Sequence, residues 1–97
     1  MRKILLVKMS SMGDLVHNLP LVSDILAHDP DAQIDWVAEE AYVPIPSLHP
    51  GVRRVIPVAW RRWRKQLTQA RTWREMRAFK TAIQAEQYDL ILDTQGL

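Results

Sequence analysis

The chain has 97 residues, of which 47% are hydrophobic and 25% are charged, and its formal net charge is +2. This balance is typical of a folded globular protein rather than a disordered or membrane-spanning one. No apolar run approaches the roughly 18 residues of a membrane span, and charges follow too soon after Met1 for a signal peptide, so we expect a cytoplasmic protein. Because cysteine is absent and the three histidines lack ligand spacing, we expect no metal site.

Positive charge is concentrated in the second half of the chain. Residues 53–80 contain ten of the thirteen basic residues and a single acid, Glu75. Such a segment either binds a polyanion or forms a solvated helix face.

The N-terminal third predicts a strand, a turn and a helix. The apolar run 4–7 indicates a buried strand, and the small residues of 10–13 indicate a tight turn. Asp14 is expected to cap the helix that follows, and Pro20 predicts a kink or restart in it. Helical spacing predicts that one face of this helix is apolar, formed by Leu15, Leu19, Val22 and Leu26.

Two further strands are predicted next. Residues 34–38 read as a strand with Glu39 and Glu40 at its carboxyl end. Residues 55–58 read as a third strand, and Pro57 favours an edge or bulged position for it.

The last elements predicted are a helix over 71–86 and a buried strand over 89–93. The helix is expected to bury one face made of Trp73, Met76, Phe79 and Ile83. Alternating strands and helices predict an α/β fold with a parallel sheet and flanking helices. Because a buried parallel strand needs a covering helix and none follows residue 93, we expect the chain to be a truncated domain.

The turn after the first strand is the first candidate site. In an open parallel sheet, ligands bind beyond the carboxyl ends of the strands. Gly13 permits a tight turn, the hydroxyls of Ser10 and Ser11 are able to hold an anion or a sugar hydroxyl, and Asp14 projects at a helix start. The alternative is that Asp14 is only a helix cap.

A dinucleotide site is disfavoured at this turn. It requires three glycines in the pattern Gly-x-Gly-x-x-Gly and an acid about 20 residues further on. Asp35, Glu39 and Glu40 could supply the acid, but Gly13 alone does not make the glycine pattern. A dehydrogenase half-domain is therefore the weaker interpretation.

The second candidate site is the basic segment that follows the third strand. Guanidinium groups suit phosphate and carboxylate oxygens, and a neighbouring indole is able to stack on a sugar or insert among lipid headgroups. A solvated helix start and a nucleic-acid-binding module are alternatives that use the same residues. The segment consists of Trp60, Arg61, Arg62, Trp63, Arg64 and Lys65.

Five blocks of the sequence are informative when taken together. They are Lys8-Met9-Ser10-Ser11-Met12-Gly13-Asp14-Leu15-Val16-His17, Asp35-Trp36-Val37-Ala38-Glu39-Glu40, residues 53–59, residues 61–65, and Tyr88-Asp89 to Asp93-Thr94-Gln95-Gly96-Leu97. In this order, the blocks resemble the lipopolysaccharide heptosyltransferases. The block 61–65 favours the family member that acts first in the pathway, and another member is the nearest alternative.

The resemblance implies an inverting glycosyltransferase of GT-B fold with two Rossmann-like domains. Such an enzyme transfers L-glycero-D-manno-heptose from ADP-heptose to a Kdo sugar of the lipid A inner core, with no cofactor. Residues 1–97 would be part of the N-terminal, acceptor-binding domain, inactive alone because the nucleotide-sugar domain is absent. The partners implied are Kdo-lipid A, ADP-heptose and the anionic cytoplasmic face of the inner membrane. The enzyme would be peripheral on that membrane. The resemblance does not imply nucleic acid as a partner.

The resemblance also implies roles for individual residues. Asp14 is similar in position to the family's general base. Ser10, Ser11 and Gly13 would line the acceptor site. The phosphates and carboxylates of the acceptor would be met by Arg61, Arg62, Arg64 and Lys65.

Overall fold

The computed structural model describes residues 2–95, which form a four-stranded parallel sheet with a helix on each face. The strands are β1 (Lys3–Val7), β2 (Gln33–Glu39), β3 (Val52–Val58) and β4 (Leu90–Asp93). The helices are α1 (Met12–His28), α2 (Trp60–Trp63) and α3 (Ala70–Gln84), and two short 3-10 turns span Glu40–Tyr42 and Pro46–Leu48. The predicted α/β fold is confirmed. Gly96 and Leu97, part of the last block of the resemblance, lie outside the described residues.

The strand order is β3-β2-β1-β4. The chain runs outward from β1 to β3 and then returns, so that β4 pairs with the free side of β1. The direction of winding therefore reverses between β1 and β4. In open α/β sheets this reversal opens a crevice at the carboxyl ends of the two strands.

Alternate residues of the central strands serve two separate cores. On one face, Ile4 and Leu6 of β1 and Trp36 of β2 pack against Leu15 and Val22 of α1. On the other face, buried residues of β1, β2, β3 and α2 pack against α3. Because β2 is covered on both sides, six consecutive residues of it, 34–39, are buried.

The start and middle of α1 differ from the prediction. The helix begins at Met12, so that Ser11 occupies the N-cap position and Asp14 lies at the third helical position. The helix also continues through Pro20 without a restart. The missing N–H of Pro20 leaves only the carbonyl of Val16 without its usual donor, and because both residues are exposed, water is able to replace it.

In α3, the prediction that Trp73 belongs to the core is wrong. Trp73 is 51% exposed, and its indole N–H donates to the carbonyl of Leu67 at 2.8 Å. The buried face of α3 runs through Thr72, Met76, Phe79 and Ile83. Trp73 lies about 100° around the helix from Thr72, outside that face.

Strand β4 is present but is not buried as predicted. It lies at the edge of the sheet, and Leu90 and Ile91 are 39% and 58% exposed. The prediction that Pro57 marks an edge strand is confirmed, since β3 forms the opposite edge.

One fully buried carboxylate, Asp35 of β2, ties three elements together. Arg53 binds both of its oxygens, from Nε to Oδ1 at 3.0 Å and from Nη2 to Oδ2 at 2.7 Å. Arg54 Nε donates to Oδ2 at 3.0 Å, and the Tyr88 hydroxyl donates to the same oxygen. Arg54 also donates to the carbonyl of Ala82, so the cluster joins β2, β3 and the end of α3.

A register shift explains how two consecutive arginines reach one carboxylate. Ile34 pairs with Val52, but Asp35 pairs with Arg54, so Arg53 is an extra residue in β3. A bulge of this kind places two residues opposite one and redirects a side chain. Asp35 is therefore an internal anchor and is unavailable to a nucleotide ribose.

The surroundings of Asp35 keep it ionised. Burial alone raises the pKa of Asp35, but hydrogen bonds from Arg53, Tyr88 and Arg54 outweigh burial and hold the pKa below its usual value. A buried charge that loses its partner is costly, so we expect both sides of this cluster to be needed for stability.

Asp35→Asn is expected to lower the free energy of unfolding by about 3 kcal/mol, because it leaves two arginines without their carboxylate. Urea unfolding followed by tryptophan fluorescence measures this, since Trp36 is fully buried. Asp24→Asn is the matched control, because Asp24 is exposed on α1, and it should change stability by less than about 0.5 kcal/mol.

The stability difference between the parent and Asp35→Asn should also depend on pH. The pKa of Asp35 is lower in the folded state than in the unfolded chain, where it is near 3.9. Its contribution is therefore complete above about pH 4 and is lost as the pH falls through the folded pKa. A difference that stays constant from pH 7 to pH 3 would contradict the assignment.

Candidate functional site

The candidate site lies where the winding reverses, at the carboxyl ends of β1 and β4. Residues 8–14 leave β1 and enter α1, and Thr94 and Gln95 follow β4 directly. The structure therefore brings together the predicted residues Ser10, Ser11, Gly13 and Asp14 in one segment. This is the position at which open α/β sheets bind ligands.

Ser11 donates two hydrogen bonds to the Asp14 carboxylate at the start of α1. The backbone N–H and the hydroxyl of Ser11 each donate to Asp14 Oδ2 at 3.2 Å. The Asp14 side chain is nevertheless 59% exposed. The carboxylate is thus held in place by the helix start and still faces solvent, as a group that meets a substrate must.

The same contacts make Asp14 more acidic. The backbone hydrogen bond from Ser11 lowers the pKa of Asp14 most, followed by the Ser11 hydroxyl and the positive charge of Lys8. Asp14 is therefore ionised at neutral pH and able to accept a proton.

Lys8 is a buried cation beside this carboxylate. Its residue is 8% exposed, and its Nζ lies 3.3 Å from the carbonyl oxygen of Thr94 and 3.9 Å from Asp14 Oδ2. The Trp36 indole N–H donates to the Lys8 carbonyl at 2.9 Å, which fixes the backbone there. Lysines are rarely buried unless they are paired, so its position requires the nearby acceptors.

Gln95 holds the turn from the β4 side. Its Oε1 accepts the backbone N–H groups of Met9 at 2.9 Å and Ser10 at 3.3 Å. Its Nε2 donates to the Ser10 hydroxyl at 3.4 Å. One side chain thus satisfies three polar groups of the turn.

Gly13 has a different role from the predicted one. It lies in the first turn of α1, and a side-chain carbon built at this position would meet nothing within 4 Å. The backbone therefore does not need a glycine there to turn. The absence of a side chain leaves open space beside Asp14.

Glu39 connects residues 8–14, here called the Asp14 turn, to the basic segment. Its backbone N–H donates to the Met9 carbonyl at 3.0 Å, and its carboxylate accepts the Arg61 backbone N–H at 3.4 Å. The Asp14 turn follows β1 and the basic segment follows β3, so both lie at the carboxyl ends of the strands. Because only β2 separates β1 from β3, they are about 10 Å apart by the usual strand spacing.

The basic segment forms α2 and its C-terminal extension, and its members differ in accessibility. Arg61, Arg64 and Lys65 are exposed. Arg62 is instead paired with Glu40 at 3.1 Å and with Glu75 at 2.7 Å. Three of the four predicted cations therefore face solvent, and the fourth anchors α2 to α3 and to the 3-10 turn that follows β2.

Glu75 is the acceptor that organises this anchor. Hydrogen bonds from the Trp63 indole, Arg62 and Arg71 lower the pKa of Glu75 to about 2. Trp63 is buried and its ring lies 6.0 Å from that of Phe79. Trp63 therefore cannot stack on a ligand as predicted, whereas Trp60 is 53% exposed and still can.

A groove of about 390 Å³ lies between β3, α2 and α3. Its lining is mainly apolar and also includes Arg62, Glu40 and Glu75. None of residues 8–14 lines it, so this groove does not form one continuous site with Asp14.

Within residues 2–95 there is neither a metal-binding cluster nor a membrane-spanning helix. No group of three histidine or acidic side chains in this range is arranged to hold a metal ion. Likewise, within the described part of the chain, every helix is too short or too polar to cross a membrane.

Sequence reasoning singled out Asp14 but missed Lys8 and Gln95 as parts of the site. Both follow the carboxyl ends of adjacent parallel strands, β1 and β4. The order of the strands was the missing information, because the sequence alone does not show that β4 pairs with β1. Because ligands bind beyond the carboxyl ends of strands in open α/β sheets, the residues that follow every predicted strand, Lys8 and Gln95 among them, were candidates.

Curated proteins similar to the chain are named lipopolysaccharide heptosyltransferase 1. The protein from Pseudomonas aeruginosa strain PAO1 is 50% identical over 95 residues, which are 98% of this chain and 27% of the relative. The protein from Escherichia coli K12 is also 50% identical over 95 residues, or 98% of this chain and 30% of the relative. The resemblance to the heptosyltransferases is confirmed.

Solved structures agree with this similarity. E. coli heptosyltransferase WaaC with ADP-2-deoxy-2-fluoro heptose matches with a TM-score of 0.92 and 49% identity, over 98% of this chain and 30% of that one. The same enzyme with ADP matches with a TM-score of 0.94 at the same identity and coverage. The expected Rossmann-like sheet of a GT-B glycosyltransferase is therefore confirmed.

A more distant structure shows the same fold. The glycosyl transferase family 9 protein from Veillonella parvula matches with a TM-score of 0.76 at 15% identity, over 95% of this chain and 25% of that one. No protein-family model matches the chain. The chain spans less than a third of the length of these relatives.

Ser11→Ala is expected to raise the pKa of Asp14 towards its ordinary value, because the variant removes the hydroxyl that donates to the carboxylate. NMR titration of the Asp14 side-chain carbon measures this shift. Ser23→Ala is the matched control, since the Ser23 hydroxyl lies on the same helix but contacts His49 instead. An equal shift in both variants would show that the Ser11 contact is not the cause.

Proposed function

We propose that this chain is part of an inverting lipopolysaccharide heptosyltransferase, which transfers L-glycero-D-manno-heptose from ADP-heptose to a Kdo sugar of the lipid A inner core. The observation that carries the proposal is an exposed, ionised Asp14, held at the winding reversal of a chain that is 50% identical to heptosyltransferase 1. In the solved relative, the ligand is an ADP-heptose analogue.

In this reaction, Asp14 serves as the general base. Its carboxylate accepts the proton of the acceptor hydroxyl while the hydroxyl oxygen bonds to the anomeric carbon of the heptose and ADP leaves from the opposite side. A carboxylate with a lowered pKa is a weak base, so it takes the proton late, once bond formation has acidified the hydroxyl. General-base catalysis of this kind contributes about 10²- to 10⁴-fold.

The acceptor is proposed to lie across the carboxyl ends of the strands, between the Asp14 turn and the basic segment. Ser10, Ser11 and the open space at Gly13 would receive the sugar beside Asp14. Arg61, Arg64 and Lys65 are free to meet its phosphates and carboxylates, because they are exposed. Arg62 would contribute from a fixed position, since Glu40 and Glu75 hold its guanidinium.

The donor requires more than this chain. We propose that residues 1–97 are part of the N-terminal, acceptor-binding domain, and that a C-terminal nucleotide-sugar domain holds ADP-heptose and stabilises the departing diphosphate. Such electrostatic stabilisation is usually the largest contribution to group transfer. The isolated segment is therefore expected to be inactive.

The acceptor's lipid implies a membrane surface as the place of reaction. We propose a cytoplasmic enzyme that is peripheral on the inner membrane, with Trp60 and the exposed cations of residues 61–65 towards the anionic headgroups. Basic residues near such a surface contribute about 1 kcal/mol each. The supporting observation is the exposure of Trp60, Arg61, Arg64 and Lys65.

Asp14→Asn in the full-length enzyme is expected to abolish heptose transfer, because the amide cannot accept the proton, while ADP-heptose binding remains. Turnover measured with ADP-heptose and Kdo-lipid A, beside calorimetry with ADP-heptose, separates the two effects. Asp24→Asn, an exposed change on the same helix, should keep full turnover. Retained turnover in Asp14→Asn would overturn the base assignment.

Arg61→Gln combined with Arg64→Gln is expected to raise KM for Kdo-lipid A about tenfold or more and to leave KM for ADP-heptose unchanged. The reason is the loss of two charge-assisted hydrogen bonds to the acceptor, each contributing more than about 1 kcal/mol. Steady-state kinetics with each substrate varied in turn measures both constants.

The matched control for this double variant is Arg74→Gln with Arg77→Gln, which removes two exposed cations from α3. It should leave both Michaelis constants near the parent values. A change confined to the donor constant in the first variant would contradict the placement of the acceptor on α2.

A further inference from the structure

The side chains of two residues without an assigned role, Lys8 and Gln95, make long-range contacts at the Asp14 turn. Lys8 follows β1 and reaches Thr94, while Gln95 follows β4 and reaches back to Met9 and Ser10. These contacts cross the point of winding reversal in both directions. The local cap formed by Ser11 fixes Asp14 relative to α1. These contacts fix the turn relative to the sheet, together with the bonds from the Trp36 indole to the Lys8 carbonyl and from the Glu39 N–H to the Met9 carbonyl.

The Gln95 contacts leave the turn few alternative conformations. Its carboxamide satisfies two backbone N–H groups and one hydroxyl, at 2.9, 3.3 and 3.4 Å. Its own backbone N–H donates to Asp93 Oδ1 at 3.0 Å, which orders the residue that makes these bonds. Loss of this side chain would leave the three groups of the turn without their partner.

The Lys8 contacts act on the carboxylate itself. The ammonium has one hydrogen-bond acceptor in the Thr94 carbonyl and lies 3.9 Å from Asp14 Oδ2. Because the lysine side chain is only 10% exposed, water competes weakly for the ammonium. A fixed positive charge at this distance favours the ionised carboxylate and limits where it points.

We propose that Lys8 and Gln95 are positioning residues for the transferase reaction, which together hold the Asp14 turn and its ionised carboxylate at the junction of β1 and β4. This inference rests on the proposed role of Asp14 as the base. It adds two residues that act through Asp14 without touching the reacting atoms.

Other charged groups around the turn define what the test must separate. His17 lies one turn further along α1 and also lowers the pKa of Asp14, to a smaller extent than Lys8. Glu39 ends β2 and is turned to the Arg61 N–H, and Asp93 ends β4 and accepts the Gln95 N–H. Lys8 is the cation that acts on Asp14 most strongly.

The test uses Lys8→Met and Lys8→Arg in the full-length enzyme. In Lys8→Met, kcat should fall about 10- to 100-fold, the scale expected for a misplaced catalytic group, with KM for ADP-heptose unchanged. The acid limb of the kcat profile should move to higher pH, because the carboxylate loses the charge that favours its ionised form. Lys8→Arg should bring the acid limb back towards the parent position.

Lys80→Met is the matched control, because this lysine is exposed on α3, and it should behave as the parent. If Lys8→Met keeps the parent kcat and acid limb, the inference is wrong. It is also wrong if kcat falls but the acid limb does not move, since a purely structural role predicts that result.

Gln95→Leu provides a second arm that does not require a buried charge to be removed. It should lower kcat about tenfold or more and speed hydrogen exchange at the Met9 and Ser10 amides, while KM for ADP-heptose remains unchanged. Gln87→Leu, at an exposed position, is its control. Unchanged exchange at both amides would overturn the role of Gln95.

Failure of this inference and failure of the proposed function give different results. Turnover retained in Asp14→Asn would remove the base and the inference together. An inactive Asp14→Asn beside parent-like Lys8→Met and Gln95→Leu would leave the proposed function standing and remove only the positioning roles.

Discussion

The pairing of the buried, ionised Asp35 with two arginines is the constraint on which the arrangement of this chain depends. A carboxylate without exposure is tolerated only with partners, and Arg53, Arg54 and Tyr88 supply them. Since these residues come from β3 and from the segment after α3, the cluster joins both to β2. It also holds the register of β3 against β2 at the start of β3, and β3 leads directly into α2 with the exposed cations Arg61, Arg64 and Lys65.

The Asp14 turn depends on the same sheet for its geometry. Strands β1 and β4 are adjacent and parallel, so the residues that follow them share one small region at the winding reversal. Because the two strand ends are close, Lys8 after β1 contacts Thr94 after β4, and Gln95 after β4 contacts Met9 after β1. Asp14 therefore combines an exposed carboxylate with a defined position, the combination that proton transfer to a positioned group requires.

Cations in the basic half of the chain have two physically different functions. Arg53, Arg54 and Arg62 are bound to Asp35, Glu40 and Glu75, and they stabilise the fold. Arg61, Arg64 and Lys65 are exposed and are free for an anionic partner. A surplus of basic residues in a sequence therefore overstates the charge that a ligand meets, because the acids that pair with some of them lie elsewhere in the chain.

Local signals, namely hydrophobic periodicity and turn residues, were enough to predict the α/β class, the four strands, the long helices α1 and α3, and the turn that contains Asp14. The packing of distant elements settled that Trp63 is buried and Trp73 is exposed, that β4 pairs with β1, and that Asp35 is an internal anchor. It also decided that Lys8 and Gln95 belong to the Asp14 turn. These outcomes depend on which distant element packs on a given residue, and strand order, the bulge at Arg53 and the pairing of charges across 18 or more positions leave no local pattern in the chain.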